Sequence, residues 1–76
     1  MRFGRIVEKL VDRAYREVRR AGRNGDLGGV RRSLEILLML QKRIPPGHEA
    51  HPWARSCLAE GLDVHFELTG DPEVLD

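Results

Sequence analysis

A single cysteine, Cys57, stands among 76 residues, so no intrachain disulfide can form. That fits a reducing, cytoplasmic setting. Aromatic residues are scarce at 5%, with one Trp, one Tyr and two Phe, too few to interleave with basic residues as a nucleic-acid surface often does. The longest unbroken apolar run, Ile36–Leu40, is far short of the roughly 20 residues a spanning helix needs, so no membrane partner is expected. The N-terminus is charged from Arg2 and lacks the apolar core of a secretory leader. No alternating pattern predicts a strand, and no segment is of low complexity. Gly25 and Gly28-Gly29 are not followed by the Lys-Ser/Thr of a phosphate-binding loop. A chain this short makes one small domain at most, over residues 1–76, and buries only about 60–65% of its unfolded surface, so its core is marginal.

What is present is helical periodicity, punctuated twice by the same kind of turn. Arg23-Asn24-Gly25-Asp26-Leu27 and Leu68-Thr69-Gly70-Asp71-Pro72 each follow an amphipathic stretch, and the two Asp residues lie 45 positions apart. Glycine supplies the left-handed backbone that ends a helix, and aspartate caps the next one. The first helix is predicted over about residues 3–22, with Phe3, Ile6, Val7, Leu10, Val11, Ala14, Val18 and Ala21 as its apolar stripe. The second is predicted over 27–42 and ends before Pro45-Pro46-Gly47. The third is predicted over 52–69, with Pro52 at its first position, where a missing N–H costs nothing. Asp71-Pro72-Glu73 reads as the start of a truncated fourth. Gly28 and Gly29 in the first turn of helix 2 imply either a frayed start or a close approach of helix 1. The fold class is therefore all-α: a three-helix chain built on a helical hairpin.

Helix 2 is apolar on two sides. At about 100° per residue, Leu27, Val30, Leu34, Leu37, Leu38 and Ile44 share one stripe, while Ile36, Met39 and Leu40 fall opposite it. Either helix 3 covers the second patch, or it is an interface. Helix 3 has an apolar arc of Ala54, Leu58, Gly61, Leu62 and His65, flanked by Trp53, Cys57, Val64 and Leu68 on one side and Ala59 and Phe66 on the other. Only Ser56, Glu60, Asp63 and Glu67 form a polar strip. Three helices cannot readily cover that arc, so a further helix, a second copy or a target is expected to do so.

The net charge of +1 conceals a polar distribution. Residues 1–32 carry ten Lys/Arg and four Asp/Glu, a balance of +6; residues 33–76 carry three and eight, a balance of −5. Arg2, Arg5, Lys9, Arg13, Arg16, Arg20 and Arg23 recur at steps of three and four and occupy roughly 80° of the helix 1 wheel. Three readings stand: a solvated face, a dock for an acidic surface such as Glu60, Asp63 and Glu67 of another copy, or a phosphate-tracking stripe.

Site chemistry is sparse. His48 and His51, with Cys57 and His65, hold the residue types of a zinc site, but their placement in a loop and along a helix does not suit tetrahedral convergence. Cys57 and His65 lie about 12 Å apart in helical rise, too far for a nucleophile and its base. His65 is expected to be a hydrogen-bonded core residue. No catalytic, cofactor-binding or metal-ligating set is therefore assigned.

Pro45-Pro46-Gly47-His48-Glu49-Ala50-His51-Pro52 and Phe66-Glu67-Leu68-Thr69-Gly70-Asp71-Pro72-Glu73 are two runs that resemble the tetratricopeptide repeat (TPR) family, in particular the long-period arrays of bacterial multidomain signalling proteins, with Leu62 and Phe66 at the family's Leu and Tyr positions. Asp63 stands where that family carries a small residue. Asn24-Gly25-Asp26-Leu27 matches the inter-helix turn, with Val30, Leu34 and Leu37 in place of Ala, Phe and Ala. The resemblance implies a superhelical scaffold or adaptor whose first helices line a partner groove, with Tyr15, Arg16 and Arg19 as groove candidates. The function expected is a non-enzymatic protein-interaction module that self-associates or binds a protein through Ile36, Met39, Leu40 and Trp53. Arg5, Lys9, Arg13, Arg20, Glu60, Asp63 and Glu67 would set orientation. The alternative is a small homodimeric regulator that contacts nucleic acid through the helix 1 stripe.

Overall fold

The segment from Arg23 to Leu27 closes one helix and opens the next with three residues between them. In the computed structural model, which describes residues 2–70 and the side chains of residues 5–70, α1 spans Arg2–Arg23 and α2 spans Leu27–Arg43. Gly25 takes φ +68°, a left-handed conformation that costs a residue with a Cβ roughly 1–2 kcal/mol. This lets the Asp26 N–H donate to the Ala21 carbonyl at 2.8 Å and the Gly25 N–H to the Gly22 carbonyl at 3.2 Å. Those two bonds make the paired closure of a Schellman end. The Asp26 carboxylate then accepts the Gly29 N–H at 3.0 Å and caps α2, as the sequence predicts.

At its other end α2 stops because Ile44 precedes Pro45 and adopts the extended ψ of 124° that such a position favours. The third helix, α3, spans Ala50–Thr69 and so begins two residues earlier than Pro52. The His48 imidazole accounts for the difference: its Nδ1 accepts the Ala50 N–H at 3.0 Å, and Glu49 is already helical at φ −62°. Pro52 occupies the third helical position, where the first turn still has no carbonyl to receive an N–H. Gly70, at φ 72°, closes α3 by donating to the Phe66 carbonyl at 2.6 Å. The expected start of a fourth helix at Asp71-Pro72-Glu73 lies outside the described residues. All secondary structure among the described residues is helical, which makes the fold all-α around a helical hairpin.

α1 and α2 run antiparallel, with Ala21 against Gly29. A Cβ on Gly29 would stand 2.6 Å from Asp26 Oδ2 and 3.1 Å from the Ala21 Cβ, so this glycine serves both the cap and the close helix approach. Gly28 is exposed and meets nothing nearer than 3.7 Å. α3 lies in the crevice of the hairpin, parallel to α1. Gly61 faces Leu34 and Val18, and Gly22 faces Val64. The core is Val7, Val11, Ala14, Val18 and Ala21 from α1, Val30, Leu34, Leu37 and Leu40 from α2, Ile44, and Ala50, Ala54, Cys57 and Leu58 from α3.

The apolar stripe of α1 is narrower than periodicity suggests. Ile6 and Leu10 are 58% and 44% exposed, because the line between α1 and α2 passes inside them. Phe3 lies outside the described side chains. Leu40, expected with the outer patch of α2, is instead buried in the core. It sits between Leu37 and Ile36 on the wheel and turns toward α1.

A pair of glycine substitutions tests this packing. Gly61→Ala gains helix propensity worth up to about 1 kcal/mol but places a Cβ 2.6 Å from Leu34 Cδ2. Leu34 is fully buried, so its side chain must shift within the core to admit the methyl, and overpacking costs about 1–3 kcal/mol. Urea unfolding should show Gly61→Ala net destabilised and Gly28→Ala neutral or stabilised. Equal stabilisation of both would contradict the close packing of α3 on the hairpin.

Candidate functional site

Three helices leave two kinds of surface uncovered: apolar flanks and a charged groove. The first apolar flank lies on the outer side of the hairpin. The packing of Ala21 on Gly29, and Glu17 lying near enough to Arg32 to feel its charge, fix the antiparallel register. By the helical period, Ile6 and Leu10 of α1 then line the same side as Ile36 and Met39 of α2. Ile36 and Met39 are 44% and 46% exposed, so α3 does not cover them. The second flank is on α3, where Phe66 is 49% exposed beside half-buried Leu62.

The groove runs between the C-terminal halves of α1 and α3. It encloses about 420 Å³, with Val18, Gly22 and Val64 at its base. Tyr15 spans it: its hydroxyl donates to Glu60 Oε1 at 3.0 Å and accepts from Arg19 at 3.0 Å. The Arg19 guanidinium also sits 5.7 Å from the Tyr15 ring centroid, within cation–π range. Arg19 and Arg23 form one wall, and Glu60, Asp63 and Glu67 the other, with Leu68 at the end. Trp53, half-exposed, extends the same side toward the start of α1, beside Arg5, Lys9 and Asp12.

Of the residues expected at a partner surface, Tyr15 and Arg19 thus meet in the groove with Glu60. Arg16 does not join them. It points away and pairs with Asp12 at 3.0 Å. Arg20 likewise pairs with Glu17, whose carboxyl is held below its ordinary range chiefly by that hydrogen bond. Two members of the basic stripe are therefore matched by acids of their own helix, while Arg5, Lys9 and Arg13 are exposed. The Tyr15–Glu60 bond joins residues 45 positions apart, and periodicity gives no signal for it.

His65 is buried, as expected, and its partners explain why it can be. Arg31 Nε donates to His65 Nε2 at 3.3 Å, which assigns the ring proton to Nδ1, facing Thr69 Oγ1 at 3.4 Å. The Thr69 hydroxyl donates to the His65 carbonyl at 2.9 Å. Both ring nitrogens are thus engaged where α2 meets α3. Cys57 is 3% exposed, and burial, followed by the charges of Glu60 and Asp12, pushes its thiol above its ordinary value. Among the described residues no three His, Cys, Asp or Glu side chains converge as a metal site, and no helix is long and apolar enough to cross a membrane.

A raised, buried thiol reacts slowly, because the thiolate is the nucleophile and access is closed. Cys57 should resist a thiol reagent such as dithionitrobenzoate in the native protein and react fully in denaturant. Immediate native labelling would show that α3 does not seat Cys57 against α1. Comparison with protein-family models, curated proteins and solved structures finds no match to this chain.

Proposed function

We propose that this chain is a non-enzymatic protein-interaction module, a TPR-like scaffold that docks a second copy or a protein partner through the apolar surface its helices leave open. The observation that carries the reading is the exposure of Ile36 and Met39 on α2 and of Ile6 and Leu10 on α1, which the helical period places on one side of the hairpin. Large aliphatic residues clustered on one flank of so small a domain favour a macromolecular partner over solvent. The TPR-like reading draws support from geometry. Gly25 and Gly70 share a left-handed backbone conformation, and α3 lies parallel to α1 in the crevice of the hairpin. A cytoplasmic location fits the one unbridged, buried cysteine. The alternative of phosphate binding by the α1 stripe is weakened by the pairing of Arg16 and Arg20 within their own helix.

Light scattering coupled to size exclusion, across concentration and salt, tests the self-association arm. Met39→Glu puts a charge on an already exposed site, so the monomer should stay folded by circular dichroism. Any association through this flank should weaken by about tenfold or more. A tenfold change is about 1.4 kcal/mol, a modest effect for altering a side chain at the centre of an interface. A wild-type protein that stays monomeric and binds no other protein would remove the reading. Unfolding by Met39→Glu would show the flank to be core.

A further inference from the structure

The basic half and the acidic half of this chain are laid side by side on one face. α1 and α3 run parallel: Tyr15 meets Glu60, Val18 meets Gly61 and Gly22 meets Val64 in rising order. Arg19 and Arg23 therefore form a cationic row along one helix, level with an anionic row of Glu60, Asp63 and Glu67 along its neighbour. Arg19, Arg23, Asp63 and Glu67 are all exposed. Between the rows the groove base is apolar at Val18 and Val64, with Leu68 39% exposed at one end and Trp53 38% exposed toward the other.

Two parallel rows of opposite sign are self-complementary under one kind of two-fold axis only. If the axis lies in the face and parallel to the helices, left and right exchange while the level along the helix is kept. Each copy's cationic row then covers the other's anionic row. If the axis lies across the helices, like charges stack on like, a juxtaposition that costs several kcal/mol. The first arrangement also sets α1 over the partner's α3 and brings the two groove bases together, as in the core of a four-helix bundle. The interface is isologous and closes at two copies.

We propose that the α1–α3 face binds a second copy of this chain in a two-fold dimer whose axis runs along the groove, with Arg19 and Arg23 of each copy seated against Asp63 and Glu67 of the other. It rests on the reading of the chain as a self-associating interaction module and names the surface and the partner. It uses a different flank from Met39, so the two can be separated by mutation. Exposed charge pairs are screened by salt, so the dimer weakens as ionic strength rises.

The test is a charge-swap mixing experiment. One variant carries Arg19→Glu and Arg23→Glu, which makes both rows acidic; the other carries Asp63→Lys and Glu67→Lys, which makes both basic. All four positions are exposed, and circular dichroism checks that each variant keeps its helices. By light scattering, the wild type is expected to dimerise, each variant to be monomeric alone, and an equimolar mixture to form a heterodimer. A chain with all four changes restores the homodimer and serves as the control should either variant fold poorly. A wild type that dimerises together with both variants unchanged overturns the proposal while leaving the interaction reading in place. Loss of dimer in Met39→Glu would then locate the interface on the α1–α2 flank. A wild type that stays monomeric at every concentration and at low salt overturns the proposal outright.

Discussion

Everything in this fold is positioned by what Asp26 does with two groups at once. Its N–H returns to Ala21 and closes α1; its carboxylate accepts from Gly29 and opens α2. Because one residue performs both tasks, the hairpin has no slack at its turn, and the left-handed Gly25 is the only conformational exception it requires. The consequence is a register. Ala21 lies on Gly29, the two helices approach at small residues, and a crevice of fixed shape remains for α3. Gly61 and Gly22 complete that fit, since each stands where a Cβ would collide with a neighbouring side chain.

Close approach has a geometric cost in coverage. The α1 side of the core is built from valine and alanine, which bring helices together but shield little of their flanks. Three helices packed as a triangle each bury about one stripe, whereas α1, α2 and α3 carry broader apolar arcs than that. Among the described residues Ile6, Leu10, Ile36, Met39, Trp53, Phe66 and Leu68 are what remains outside. The same residues that make the core tight thus leave surplus apolar surface at the periphery. That surplus is the surface on which the proposed interaction rests.

Legibility of the fold from sequence followed the range of the interaction responsible. The caps were readable because they are local: Gly25-Asp26 and Gly70 act within a few residues, and each did in three dimensions what its chemistry implies. The start of α3 lies two residues ahead of where proline rules place it, because the His48 ring accepts the Ala50 N–H, a bond those rules do not anticipate. Periodicity found the apolar arcs but could not say how many neighbours each would have, so Ile6 and Leu10 were expected inside and Leu40 outside. At the candidate site, Tyr15 and Arg19 were legible as groove residues only through resemblance. Glu60 was legible only as a charge, because its bond to Tyr15 depends on the tertiary pairing of α1 with α3. Arg16, named from the same resemblance, is instead turned along its own helix to Asp12, one turn away.

The charge asymmetry gains its meaning from topology. In sequence, an excess of cations before residue 33 and of anions after it implies only a polar chain. Had α3 followed α1 end to end, the two would form a dipole along the molecule and favour head-to-tail strings. The tight turn and the Pro45-Pro46-Gly47 reversal instead return α3 alongside α1 in parallel. The dipole then lies across the face, about one helix diameter wide, rather than along the molecule. Within one copy, Tyr15 bridges the two walls by its bonds to Glu60 and Arg19, while Arg23, Asp63 and Glu67 are left on the surface with their charges separated by the groove. A pattern of that width and symmetry is met best by its own two-fold image. In the proposed dimer, the turn that sets the fold therefore also sets which surfaces of two copies face each other.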